Sequence, residues 1–94
     1  MPKVSIVLPT YNGSKFLSRS IESVQEQAET DWELIIVNDC STDNTLDIAQ
    51  KYAQQDKRIS VITNEQNKKL PASLNVGFSR AKGKYLTWTS DDIM

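Results

Sequence analysis

The adjacent carboxylates Asp91-Asp92, preceded by Ser90, offer the most direct chemistry in this sequence. Carboxylates repel phosphate unless a cation lies between them, and Mg²⁺ or Mn²⁺ bridges one or two carboxylates to phosphate oxygens. The chain has no histidine and a single cysteine, Cys40. Ser-His-Asp chemistry, Cys-His chemistry and His-ligated metal sites are therefore excluded within it, and a metal would have to be held by oxygen. One cysteine permits no intrachain disulfide and fits a reducing compartment. Two more polar groups follow apolar runs: Pro9-Thr10-Tyr11 after Val4 to Leu8, and Asn38-Asp39 after Leu34 to Val37. Tyr11 offers a face to a base or sugar, and Asp39 can accept from a base N–H or a ribose hydroxyl. Each has a plainer reading. Asp91-Asp92 suits solvated surface, Asp39 a turn or cap, Thr10 and Asn12 the ordering of a loop, and Lys68-Lys69 a solvated loop.

The elements that would position these residues alternate along the chain. Val4 to Leu8 is rich in β-branched residues and reads as a strand, ended by Pro9 and the polar Asn12-Gly13-Ser14. Phe16, Leu17, Ile21, Val24 and Ala28 recur at helical steps. Leu34 to Val37 is a continuous apolar run, as in a strand covered on both faces. Ser41 or Thr42 is placed to cap a second helix whose buried side is Leu46, Ala49 and Ala53. Ile59 to Thr63 reads as a third strand, followed by a polar loop from Asn64 to Lys69. Pro71 suits the first turn of a third helix carrying Leu74, Phe78 and Ala81, and Gly83 fits the position just past its end. Tyr85 to Thr89 is a fourth strand, which delivers Ser90-Asp91-Asp92 at its carboxyl end.

Such alternation predicts an α/β fold, a Rossmann-like, mainly parallel sheet with helices on both faces. Right-handed crossovers allow the order 3-2-1-4, with ligands bound beyond the carboxyl ends of the strands where the winding reverses. The three polar groups would then converge in one crevice. At 94 residues and a net charge of −1, the chain is one small domain or part of a larger one, without the basic excess of a nucleic-acid surface. No apolar run reaches membrane-spanning length, and the amino terminus has no signal-peptide-like apolar stretch.

Four blocks, in order and with similar spacing, resemble family 2 glycosyltransferases. They are Val4 to Asn12, Glu33 to Asp43, Asn75 to Ala81, and Gly83 to Asp92. The resemblance implies a GT-A nucleotide-diphospho-sugar transferase fold, with residues 1–94 as its amino-terminal nucleotide-sugar-binding part. It implies a nucleoside-diphosphate sugar as donor, a Mg²⁺ or Mn²⁺ ion, and transfer with inversion to a hydroxyl of a sugar, lipid or polysaccharide acceptor. Pro9, Thr10, Tyr11 and Asp39 fall where the family contacts the nucleoside. Asp91 falls near the ribose or diphosphate, and Asp92 with Asp91 at the metal. Three departures stand out: Asn38 in place of the first of two aspartates, Cys40 where glycine is usual, and Ser90-Asp91-Asp92 for the more familiar Asp-x-Asp. Leu74 also replaces a frequent arginine, for which Lys69 is the candidate substitute.

In the family the general base and the acceptor region lie later in the chain, so residues 1–94 are expected to bind donor and transfer little. The expected setting is cytoplasmic or membrane-peripheral. An uncovered fourth strand is expected to favour self-association. The alternatives are a non-catalytic nucleotide-binding or scaffolding module and a sugar nucleotidyltransferase-like protein, although the latter's glycine-rich basic opening loop is absent. A dinucleotide-binding oxidoreductase would need a Gly-x-Gly-x-x-Gly turn after the first strand, which this chain lacks. A phosphoacceptor receiver domain would need acidic residues where Pro9 and Thr10 stand.

Overall fold

The computed structural model describes residues 3–27, 31–64 and 69–89. Strand β1 (Val4–Thr10), helix α1 (Leu17–Glu26), β2 (Trp32–Asn38), α2 (Thr45–Gln55), β3 (Ile59–Thr63), α3 (Lys69–Arg80) and β4 (Tyr85–Trp88) follow in strict alternation. All three strand pairs are parallel, and the sheet order is β3-β2-β1-β4. The chain moves one way across the sheet through α1 and α2, then returns past β1 through α3. Right-handed crossovers place helices on opposite faces when the direction of travel reverses.

Side-chain alternation along the central strands feeds both layers. Ile6 and Leu8 of β1 and Leu34 and Ile36 of β2 point to one face, where they meet Leu17, Ile21 and Val24 of α1 and Ala49 of α2. Val7, Ile35 and Val37 point to the other, against Val76, Phe78 and Ala81. The continuous apolar run in β2 is thus the mark of a strand covered twice. Helix α3 approaches closely because Gly77 has no Cβ, which would come within 3.0 Å of Val7 Cγ2 and 3.2 Å of Val37 Cγ2.

Several boundaries differ from the sequence expectation, each for a local reason. Strand β1 continues through Pro9 to Thr10. Val7 O accepts from Thr89 N–H on the β4 side (2.9 Å), so the alternation aims the missing N–H of Pro9 past the end of β4, where no ladder bond is lost. Phe16 precedes α1 and is partly exposed rather than part of its buried stripe. Residue Ala28 lies outside the described residues. Gly83 stands three residues past α3 and has no positive φ, so it is not a left-handed helix cap. Its requirement is close approach: a Cβ there would lie 2.7 Å from Ser5 N and 2.9 Å from Val4 C.

A hydrogen-bonded clasp forms where the α3–β4 turn meets β1 and β2. Gly83 N–H donates to Ser5 Oγ (2.7 Å), Ser5 Oγ donates to Glu33 Oε2 (2.5 Å), and Lys82 N–H donates to the same carboxylate oxygen (2.6 Å). It fixes the start of β4 against β1, in the register Val4↔Tyr85 to Val7↔Trp88. Both faces of β4 are exposed along its length.

Candidate functional site

Strand register brings Thr10, Asn38 and Thr63 into one row at the carboxyl edge of the sheet. Strand β4 stops three residues earlier on β1, opposite Val7. The edge therefore has a step beside Leu8, Pro9 and Thr10, at the point where the winding reverses. Thr10, Asn38, Asp39 and Asn64 are all buried along this carboxyl edge, an unusual concentration of polar side chains at the margin of an apolar sheet. Tyr11, the next residue out, is 51% exposed.

Asp39 is held through its backbone by β1 and through its carboxylate by the residue after β3. Its backbone N–H donates to Thr10 O (2.8 Å), which carries the β1–β2 ladder past the strand ends. Its Oδ1 accepts from Asn64 Nδ2 (3.0 Å), while Asn64 N–H donates to Asn38 O (2.8 Å). A buried carboxylate is tolerated only with such donors. Polar hydrogen bonds also tie the loop after β1 to the loop after β2. Asn12 N–H donates to Ser41 Oγ (2.9 Å), and Asn12 Oδ1 accepts from Thr42 N–H (2.7 Å) and Thr42 Oγ1 (3.3 Å). Ser41 N–H donates to Asn38 Oδ1 (3.2 Å), and Ser14 N–H to Asp43 Oδ2 (3.4 Å).

Two residues of these loops take left-handed backbone conformations, Asn12 at φ 50° and Cys40 at φ 61°. Asparagine adopts this region readily, whereas a cysteine pays a steric cost that glycine avoids. The Cys40 departure from the family pattern thus falls at a position where the backbone favours glycine. Ser41 and Thr42 serve the loop contacts rather than capping α2. Asn44, the residue at the cap position, makes no side-chain cap bond, and the first helical amide is satisfied by Asp43, whose Oδ1 accepts from Thr45 N–H (3.0 Å) and from Thr45 Oγ1. The Thr45 hydroxyl, aided by Ser14, lowers the Asp43 pKa to about 2.

Of the sequence-predicted site residues, Pro9, Thr10, Tyr11 and Asp39 therefore share one edge. Lys69 opens α3, and the expectation for its side chain lies outside the described residues, as do those for Asp91 and Asp92. Among the described residues no group of three or more His, Cys, Asp or Glu could hold a metal ion. The edge offers carboxylate, amide and hydroxyl oxygens and the Cys40 thiol but no imidazole, and oxygen donors are those that a hard cation such as Mg²⁺ or Mn²⁺ takes. Residues Ser41, Asp43 and Asn64 gained their roles only in three dimensions, whereas Asn12 orders its loop as the plainer reading expects. The available sequence signal was the density of Asn, Asp, Ser and Thr directly after each strand. An exposed aromatic residue and a buried carboxylate at the same sheet edge can offer a heterocyclic base a stacking face and an acceptor.

A sheet of this order and edge, covered on both faces, is that of the GT-A glycosyltransferases. The chain belongs to glycosyl transferase family 2, whose sequence model it matches over residues 5–94. The Bacillus subtilis proteins TuaG and EpsE are 40% and 46% identical to it, each over 97% of this chain and over 36% and 33% of their own lengths. The GalNAc(5)-diNAcBac-PP-undecaprenol beta-1,3-glucosyltransferase of Campylobacter jejuni is 36% identical over 98% of this chain and 30% of its own. The chain thus spans about a third of the curated relatives it matches. The crystal structure of S. aureus TarS in complex with UDP-GlcNAc superposes with a TM-score of 0.87 at 32% identity, over 96% of this chain and 26% of TarS. The fold is shared too by a mannosyltransferase from Pyrobaculum calidifontis, in complex with GDP-Man and Mn²⁺, at TM-score 0.89 and 22% identity; 97% of this chain and 28% of that one are covered. Among the described residues no helix is long and apolar enough to cross a membrane.

Proposed function

We propose that residues 1–94 form the donor-binding part of an inverting glycosyltransferase, which moves a sugar from a nucleoside diphosphate to an acceptor hydroxyl. The observation that carries this reading is the pairing of buried Asp39 with exposed Tyr11 at the reversal point of a family 2 sheet. In this assignment Pro9 and Thr10 shape the floor of the nucleoside site, Tyr11 flanks the base or sugar, and Asp39 accepts a hydrogen bond from the nucleoside. Lys69, at the amino end of α3, serves the diphosphate together with Asp91, and helix amino termini favour such anions. Asp92, with Asp91, holds Mg²⁺ or Mn²⁺, which would neutralise the diphosphate as it leaves. The parallel course of β4, whose neighbour Thr89 donates to Val7 O, supports bringing that acidic pair to the same edge.

The TarS complex with UDP-GlcNAc supports a nucleotide-sugar donor, and the undecaprenol-linked acceptor in the name of the Campylobacter relative supports a lipid-linked or polysaccharide acceptor. That acceptor chemistry fits a cytoplasmic or membrane-peripheral setting. Calorimetric titration of the chain with UDP and GDP, with and without Mn²⁺, tests the assignment. Asp39→Ala should weaken binding with or without metal, and Asp92→Ala should remove the metal dependence. Glu22→Ala, on α1 and bonded to Tyr52, should change neither. Equal binding by all four proteins would defeat it.

A further inference from the structure

We infer that Asn64 is a positioning residue for the donor, acting through Asp39, an inference that rests on the donor-site reading above. Asn64 follows β3, the strand farthest from the reversal point, and nothing in the sequence ties it to the groups after β1 and β2. Its side chain is nevertheless 5% exposed and spans from β3 to the 4% exposed Asp39. The backbone bond from Asn64 N–H to Asn38 O extends the β2–β3 ladder, so the origin of the side chain is fixed. The Asn64 Nδ2 bond to Asp39 Oδ1 (3.0 Å) then sets the plane of the carboxylate.

The choice of amide matters chemically. An arginine or lysine here would form an ion pair and compete with a ligand's N–H for the carboxylate charge. A neutral amide uses one lone-pair direction of Asp39 and leaves its negative charge uncompensated by that bond. An oriented anionic acceptor suits the N–H of a planar base, for which angle matters as much as distance. Without Asn64 the carboxylate would lose the bond that reaches its Oδ1 from the β3 side.

The test is titration calorimetry with UDP–Mg²⁺ and GDP–Mg²⁺ on the wild-type chain, Asn64→Ala, Asp39→Ala and the double variant, each checked for folding by circular dichroism. Asn64→Ala should weaken binding of the preferred nucleotide about tenfold, the loss of one charge-assisted orientation. In the Asp39→Ala background the same change should cost nothing further, since its effect runs through Asp39. Asn64→Asp supplies a second readout: two carboxylates this close share one proton, and the protonated partner can donate as the amide did. Measured against wild type at each pH, its affinity should be near equal at low pH and fall behind as pH rises. Wild-type binding with an unaffected Asn64→Ala, or an equal loss in both backgrounds, would overturn the inference and leave the donor site standing. If Asn64→Ala does not fold, a level pH profile for Asn64→Asp overturns it. A wild-type chain that binds neither nucleotide overturns the donor site and this inference with it.

Discussion

Gly77 lies inside α3, where an added Cβ would overlap Val7 Cγ1 and come within 3.0 Å of Val7 Cγ2 and 3.2 Å of Val37 Cγ2. On an exposed helix, Gly→Ala stabilises by about 0.8–1.0 kcal/mol through backbone propensity. Here the new methyl meets Val7, fully buried in a strand paired on both sides and stiff about χ1. The clash is relieved only by lifting α3 off the sheet, an overpacking cost of roughly 1–3 kcal/mol. Taking the middle of that range, Gly77→Ala should lose about 1 kcal/mol net. For a chain of 94 residues the melting entropy is about 0.2 kcal/mol/K, so the midpoint should fall by about 5 °C. Val7→Ala removes the two Val7 methyls and leaves only the milder contact with Val37 Cγ2 (3.2 Å), so in that background Gly77→Ala should stabilise by up to about 1 kcal/mol, a coupling of up to about 2 kcal/mol. Urea denaturation of the four proteins, followed by circular dichroism, measures both values. A Gly77→Ala chain more stable than wild type, or an effect equal in the two backgrounds, would refute the close packing of α3 on β1.

Acid should destabilise the chain between about pH 4 and pH 2. The carboxyls of Asp43 and Asp56 are both lowered from 3.8 to about 2, chiefly by the Thr45 hydroxyl and the Arg58 guanidinium respectively. Folded values below the unfolded ones mean that their contribution is present above the unfolded pKa and lost as pH falls through the folded one. Asp43→Asn should flatten part of that decline, and thermal melts that fall equally steeply for both proteins would count against the loop contacts. At Cys40, φ 61° predicts a ranking: Cys40→Gly should match or exceed wild type, while the β-branched Cys40→Val should be about 1–2 kcal/mol less stable than the glycine variant. A valine variant as stable as the glycine one would contradict it. Tyr85, Leu86 and Trp88 are 54%, 54% and 48% exposed on an edge strand, so sedimentation across a concentration series should show self-association. A monomer at high concentration would show that this edge is protected.

The layering was legible because it is written in local periodicity. The apolar run Leu34 to Val37 allows only a doubly covered strand or a buried helix, and the helical stripes on either side favour the strand. Pro9 hid two residues of β1 because its missing N–H is harmless only where β4 has already ended, a fact of register rather than composition. Gly83 was placed correctly as a required glycine and given the wrong reason, since crowding by a distant strand leaves no local trace. Asp39 and Tyr11 were found because they directly follow apolar runs. Asn64 reads from sequence as the start of a polar loop, and only the pairing of β2 with β3 brings it to Asp39.

Amide chemical-shift mapping tests the central claim most directly. The isotope-labelled chain would be titrated with UDP–Mg²⁺ and GDP–Mg²⁺ while its backbone resonances are followed. The donor-site account predicts saturable shifts for at least one nucleotide, concentrated at Thr10 to Asn12, Asn38 to Ser41 and Asn64. Lys3, Trp32 and Ile59, at the opposite edge of the sheet, should stay still. Shifts gathered at that opposite edge, or none with either nucleotide, would contradict it.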